Sequence, residues 1–116
     1  MIRRTFLAIV AAVAVTSPAI AADPLRIGVE GAYPPFSYVE ADCTLAGFDI
    51  DIANALCAAM DRQCEMVQQE WDGMIPALKA HKFDAIVASM SITEERKRQV
   101  DFTNKYYQTP ARVDRK

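Results

Sequence analysis

Beyond an apolar leader, the 116-residue sequence predicts an α/β fold, a parallel sheet with flanking helices. Two observations predict it. Short strand-like runs alternate with runs of helical period, in the order strand–helix–strand–helix–strand–helix, which is the signature of a parallel sheet joined by right-handed crossovers. The third strand segment, 83–88, is nearly all apolar (Phe83, Ala85, Ile86, Val87, Ala88), as expected of a strand covered on both faces.

Residues 1–22 read as a secretory signal. Arg3 and Arg4 precede an apolar run from Phe6 to Val15, followed by Ser17, Pro18 and the small-residue stretch Ala19-Ile20-Ala21-Ala22. That is the charged, apolar, small-residue order of an export leader. The apolar run falls short of the about 20 residues a bilayer span requires. Cleavage is expected after Ala21 or Ala22, and export would place the product in the periplasm. Residues 23–116 then form one small domain, within the usual range for a domain.

The elements follow in order. Residues 25–29 alternate apolar side chains and read as a strand. Gly31, Pro34 and Pro35 end it and open a loop. Residues 36–39 and 44–46 are expected to pair as a small hairpin, and Gly47 closes that unit. Over 48–60, Phe48, Ile52, Leu56, Ala59 and Met60 recur at helical spacing and predict one buried face. Asp49 and Asp51 sit in that helix's first turn, where carboxylates favour the dipole. Residues 64–68 are a second strand. A second helix is expected over 71–80, with Met74, Ile75 and Leu78 on one side. Pro76 is tolerated there if it falls in the first turn, where a missing N–H costs nothing. After the strand at 83–88, a polar loop at 89–93 leads to a third helix over 95–100, capped by Thr93 or by Ser91 with Glu94. Residues 101–109 read as extended.

Charge and cysteine content narrow the function. The chain carries 13 Lys and Arg against 15 Asp and Glu; without Arg3 and Arg4 the net charge moves from −2 to −4. A mildly acidic domain does not suit nucleic acid, which selects a basic face. No CxxC or Cys/His cluster is present and His81 is alone, so neither a metal nor another cofactor is expected. Cys43, Cys57 and Cys64 would meet an oxidising compartment after export. Cys57 and Cys64 lie seven apart, and bridging them would stabilise by about 2.5 kcal/mol on the chain-entropy description. Three reduced, half-buried thiols are the alternative. No GxSxG, HExxH or phosphate-binding glycine loop occurs.

Ligands of parallel sheets bind beyond the carboxyl ends of the strands. That rule selects 30–36, 70–72 and 89–96. In the last of these, Arg96 brings a planar fork that matches a carboxylate bidentately, with the N–H groups of a helix start and the hydroxyls of Ser89 and Ser91 beside it. The plainer alternative is a solvated helix face, in which Arg96, Lys97 and Arg98 balance Glu94 and Glu95. Tyr33 and Trp71 each follow a strand and can sandwich an aliphatic or guanidinium side chain; as plain core or rim aromatics they need no ligand. Glu30 would draw a cationic ligand group into a half-dry cleft, or be a surface turn residue.

Three stretches, LRIGVEGAYPPFSY, LAGFDIDIANALC and WDGMIPALKAHKFDAIVASMSITEERKRQVDFTNKYY, occur in this order. Together they resemble the extracellular solute-binding proteins, family 3, of polar amino-acid ABC transporters, in particular the lysine/arginine/ornithine- and histidine-binding type and the related opine binders. The resemblance covers 25–112. It implies the type II periplasmic binding-protein fold: two α/β lobes joined by a hinge, of which this chain holds the N-terminal part of the first. It implies that Arg96 holds an α-carboxylate with help from Ser91, that Ser89 also contacts the ligand, and that Tyr33 and Trp71 flank its side chain. Glu30 stands where the basic amino-acid binders commonly carry Asp, and would meet the distal cation. Cys57 and Cys64 match a disulfide of that group; Cys43 has no counterpart.

Members of that family are about twice this length. The resemblance therefore implies a truncated monomer lacking the second lobe, expected to bind amino acids poorly alone. The function it implies is delivery of a cationic amino acid to ABC transporter membrane subunits, without catalysis. The alternatives are an enzyme on the same fold, similar to cyclohexadienyl dehydratase, with Glu30 as its acid, a sensor lobe, and a remnant without function.

Overall fold

The computed structural model describes residues 22–110; the expected leader cleavage sequence falls almost wholly outside them. Strand β1 is Leu25–Val29, β2 Ala32–Tyr33, β3 Ser37–Val39 and β4 Leu45–Ala46. Helix α1 is Phe48–Ala59 and β5 is Cys64–Gln68. A 3-10 turn, Trp71–Gly73, runs into α2, Met74–Lys79. Strand β6 is Ala85–Ile86 and α3 is Glu94–Lys97. The α/β fold expected from the sequence is the one observed.

The main sheet is parallel in the order β5-β1-β6. Strand β1 is central, with Val29 opposite Gln68 of β5 and Gly28 opposite Ile86 of β6. The chain passes from one side of β1 to the other between β5 and β6, so β1 marks a switch in direction. The loops after β1, β5 and β6 therefore leave from one edge of the sheet, where such sheets bind ligands.

Period-two alternation in β1 assigns the two layers. Ile27 and Val29 are buried with Ile50, Ala53 and Cys57 of α1 and with Val87. Gly28 points the other way, where Phe83 packs with Met74, Ala77 and Ala88 in a second cluster. A Cβ on Gly28 would lie 2.6 Å from the Phe83 ring, so this close approach requires glycine. The nearly all-apolar run 83–88, with Asp84 its one polar residue, serves both layers: Val87 joins the first cluster, Phe83 and Ala88 the second. Only Ala85 and Ile86 pair with β1 as ladder residues, because hydropathy reports which faces are covered and not which edge is hydrogen-bonded.

Helix α1 corrects the expected face. Its buried residues are Asp49, Ile50, Ala53 and Cys57, whereas Phe48, Leu56 and Met60 are 39%, 47% and 51% exposed. Two apolar stripes run along this helix, and the one opposite Ile27 and Val29 is chosen. The Cys57–Cys64 disulfide lies on the chosen stripe and joins α1 to the start of β5, with the Cα atoms 6.2 Å apart. Cys43 is a free, exposed thiol.

The expected hairpin forms, with Tyr38 opposite Ala46. A third short strand, β2, joins it antiparallel to β3 within the segment expected to be a loop. Buried Ser37 explains this, its Oγ accepting the Gly31 N–H at 2.8 Å. Gly47 then turns into α1 with φ of +118°, where a side chain would strike the Phe36 carbonyl.

Pro76 lies in the first turn of α2, as its missing N–H requires. Helix α3 is a single turn, shorter than expected, with Thr93 as its N-cap. Residues 98–110 carry no regular strand or helix. Among the described residues no helix is long and apolar enough to cross a membrane.

Candidate functional site

The edge of the sheet collects most of the residues selected from the sequence. Arg96 is held on three sides by local structure. Its backbone N–H donates to Thr93 Oγ1 at 3.2 Å, which sets the start of α3. Its guanidinium donates from Nη1 to the Ser91 carbonyl at 2.9 Å. The guanidinium carbon lies 5.4 Å from the centre of the Trp71 ring, within cation–π range. Arg96, Trp71, Asp72, Ile75 and Met90 line a depression of about 190 Å³. The structure thus joins the loop after β5 to the loop after β6. The single-turn length of α3 leaves little macrodipole, so the attraction for an anion rests on the Arg96 charge.

Ser89 is differently employed. Its φ is +51°, in the left-handed region. Its hydroxyl lies 2.7 Å from one Asp49 carboxylate oxygen and 2.9 Å from the other, and its backbone N–H donates to the Tyr106 hydroxyl at 2.9 Å. The Tyr106 hydroxyl in turn donates to Asp49 at 2.8 Å. Asp49 has no exposed surface. The hydroxyl of Ser89 is left able to accept from a ligand rather than donate to it. Desolvation, and then the hydrogen bond to Asp49, push the Tyr106 phenol up to about 12. Asp49 was expected to be an ordinary first-turn carboxylate; only partners 40 and 57 residues away reveal it as the anchor of this loop.

Tyr33 stands 48% exposed, stacked on Phe36 with ring centres 5.1 Å apart. Phe36 stacks in turn on Tyr107 at 5.4 Å, and Phe48 meets both Phe36 and Tyr107 edge-on. The exposed first residue of α1 is therefore part of an aromatic group that holds Tyr33 from behind. Glu30 follows β1 directly, half-buried at the same edge. Among the described residues no hydrogen bond, ion pair or aromatic stack joins Tyr33 or Glu30 to the Arg96–Trp71 pair.

Ser89 and Ser91 also face a wider groove of about 940 Å³ between β6 and residues 100–109. Among the described residues no group of three His, Cys, Asp or Glu is placed to hold a metal ion.

The profile of the bacterial extracellular solute-binding proteins, family 3, matches residues 25–116. The chain is similar to the L-arginine-binding protein of Pseudomonas aeruginosa, with 67% identity over 96 residues, covering 82% of this chain and 37% of that protein. It thus spans under two fifths of that relative's length. Among solved structures, it resembles an ancestral arginine-binding protein bound to arginine, with 44% identity and a TM-score of 0.71 over 72% of this chain and 37% of that one. It also resembles the arginine-bound form of domain 1 from T. maritima ArgBP, with 36% identity and a TM-score of 0.69 over 72% of this chain and 66% of that one.

Proposed function

The chain belongs to the bacterial extracellular solute-binding proteins, family 3, and from that membership we propose that it contributes one wall of a periplasmic site for a cationic amino acid, arginine foremost. The observation that carries this reading is the Arg96 guanidinium, fixed at the ligand-binding edge of a parallel sheet by Ser91 and Trp71. A fixed, permanently charged fork suits the α-carboxylate that all amino acids share. Glu30, at the end of the neighbouring strand, supplies the charge that a distal guanidinium or ammonium selects. Tyr33 and Trp71 offer aromatic surface at the same edge of the sheet, and Ser89 and Ser91 offer their polar groups there. The names of the two relatives most similar among those described, both arginine binders, support arginine first, while histidine- and lysine/arginine/ornithine-binding relatives keep the cationic class broad.

The same membership supports delivery to the membrane subunits of an ABC importer, as a monomer, and export by residues 1–22. The chain acts without catalysis in this reading: it returns its ligand unchanged, where a dehydratase would consume it.

One lobe is able to hold the ligand in a relative, whose domain 1 has an arginine-bound form. Residues 23–116 offer the contacts of one wall only, so their affinity is weak. Calorimetric or NMR titration of residues 23–116 with L-arginine tests this. Binding in the millimolar range that is lost in Arg96→Gln supports it. No saturable binding, or binding indifferent to Arg96→Gln, overturns the site, and micromolar affinity overturns the claim that one wall binds weakly.

A further inference from the structure

We propose that Tyr107 is a positioning residue for Tyr33: acting through the ring of Phe36, it fixes the aromatic surface that Tyr33 offers to the side chain of a bound amino acid. The inference rests on the reading of Tyr33 as a residue that flanks the ligand, and adds to it the group that holds the ring in place.

Tyr33 ends a two-residue strand and is half-exposed. A ring in that setting turns freely unless something stacks on it, and a ligand meeting it would bear the entropy of ordering it. Among the described residues, Phe36 is the one ring packed against Tyr33, with centres 5.1 Å apart and planes inclined by 18°. Phe36 stacks as well on Tyr107, with centres 5.4 Å apart and planes inclined by 13°. Three near-parallel rings thus run from Tyr107 to Tyr33 by way of Phe36, in the offset-stacked arrangement that aromatic pairs favour. Phe48 meets both Phe36 and Tyr107 near the perpendicular, with planes at 83° and 89°, and opposes tilting of either ring.

Hydrogen bonds fix the middle and the far end of this row. The Phe36 N–H donates to the Tyr33 carbonyl at 2.8 Å, and the Phe36 carbonyl accepts the Asp49 N–H at 2.7 Å. The turn that carries Tyr33 and Phe36 is therefore docked on the start of α1. Tyr107 lies in a segment without regular structure, and its neighbour Tyr106 anchors that segment by donating to Asp49 and accepting the Ser89 N–H. Two consecutive tyrosines serve two parts of the candidate site: Tyr106 reaches the loop after β6, and Tyr107 reaches the segment after β1. An aliphatic or guanidinium side chain gains from an aromatic face only where the two surfaces match in orientation. A ring ordered beforehand relieves the ligand of that step.

Three measurements test the inference. In the wild-type chain without ligand, NOEs should join the ring protons of Tyr33 to those of Phe36, and those of Phe36 to Tyr107; their absence overturns the stack. Tyr107→Leu should move the Tyr33 ring signals toward those of a free tyrosine, and Phe36→Leu should do the same from one link nearer. Tyr107→Phe keeps the ring and should leave them in place. Tyr33 signals unmoved in both leucine variants overturn the positioning. For binding, an NMR titration should show Tyr107→Leu weakening L-arginine about five-fold in the wild-type background and less than about two-fold in a Tyr33→Leu background, the size expected of one aromatic pair. An equal loss in both backgrounds overturns the positioning role and assigns Tyr107 to the general stability of the fold. Failure of the wild-type chain to bind L-arginine overturns the binding reading instead, a separate result because the ring measurements use no ligand.

Discussion

Tyr106 donates its hydroxyl to the buried carboxylate of Asp49 across a sequence separation of 57 residues, at 2.8 Å. The same carboxylate takes the hydroxyl of Ser89, and Tyr106 accepts the Ser89 N–H. Three segments that share no regular ladder are tied at one point: the start of α1, the loop after β6, and the irregular chain beyond α3. Tyr106→Phe removes a hydrogen bond to a charged group and should cost about 1.5–3 kcal/mol. Asp49→Ala should cost at least as much, because it leaves both hydroxyls and the left-handed Ser89 without their anchor. Urea denaturation of the purified variants checks both, and a loss under 0.5 kcal/mol in each would show, on the order expected for an unimportant bond, that the tie does not hold the loop.

The same contact has a pH signature. The Tyr106 phenol is raised from 10.0 to about 12 by burial and by Asp49. The fold holds this proton more tightly than the unfolded chain does. Its contribution to stability is therefore complete below pH 10 and is lost as pH climbs from 10 toward 12. Of the four tyrosines, one should ionise late in a spectrophotometric titration, and Tyr106→Phe should remove that late step. A single transition near pH 10 in the wild type would contradict the burial.

How far the sequence could be read depended on the range of the interactions. Strand β1, strand β5 and the crossover order are local patterns, and the structure reproduces them. The Thr93 cap of Arg96 spans three residues and was equally legible. The face of α1 was not, because Phe48, Ile52 and Leu56 form one stripe and Ile50, Ala53 and Cys57 another; only the packing of Ile27 and Val29 decides between them. Asp49 shows why the site was only half visible. A carboxylate in a first turn is ordinarily solvated, and its true partners lie 40 and 57 residues further on. Trp71 and Arg96 were each singled out, but that they touch is a fact of tertiary structure.

The Cys57–Cys64 bridge closes a short loop between the end of α1 and the start of β5. Its removal in a Cys57→Ser/Cys64→Ser double variant frees the unfolded chain and should lower stability by about 2.5 kcal/mol. Dithiothreitol should lower the wild type equally. Cys43→Ser should change nothing beyond about 0.5 kcal/mol, as that thiol is exposed and unbridged. Denaturation curves of the three proteins, with and without reductant, distinguish these outcomes.

At the opposite edge of the sheet, Arg26 grips Asp84 through Nε at 3.3 Å and Nη2 at 3.1 Å. The backbone N–H of Arg26 adds a third donor at 2.9 Å. These bonds, the side-chain pair first, hold the Asp84 carboxyl below its ordinary value of 3.8. A depressed carboxylate stabilises the fold at pH values above 3.8, and the effect is lost as pH falls below that value. Asp84→Asn should therefore lower the melting temperature by a few degrees at pH 7, with the gap closing as the wild type is acidified below pH 3.8. A gap that persists undiminished at pH 2 would assign the effect to the side chain's shape rather than its charge.

In the proposed site, Glu30 and Arg96 would divide the recognition of a cationic amino acid into two charges on different strands' loops. If Arg96 serves the carboxylate, its loss must affect every amino acid alike, since all share that group. If Glu30 serves the distal cation, its loss must discriminate. Glu30→Gln keeps the size and removes the charge, so L-arginine should bind about ten-fold more weakly, while L-glutamine, which has no distal charge, should change less than two-fold; a charge-assisted hydrogen bond lost to a neutral one is of this order. Competition titrations followed by NMR measure both ligands in one sample. Equal losses for L-arginine and L-glutamine would move Glu30 out of the side-chain pocket, and unchanged affinity for both would return it to the status of a surface turn residue.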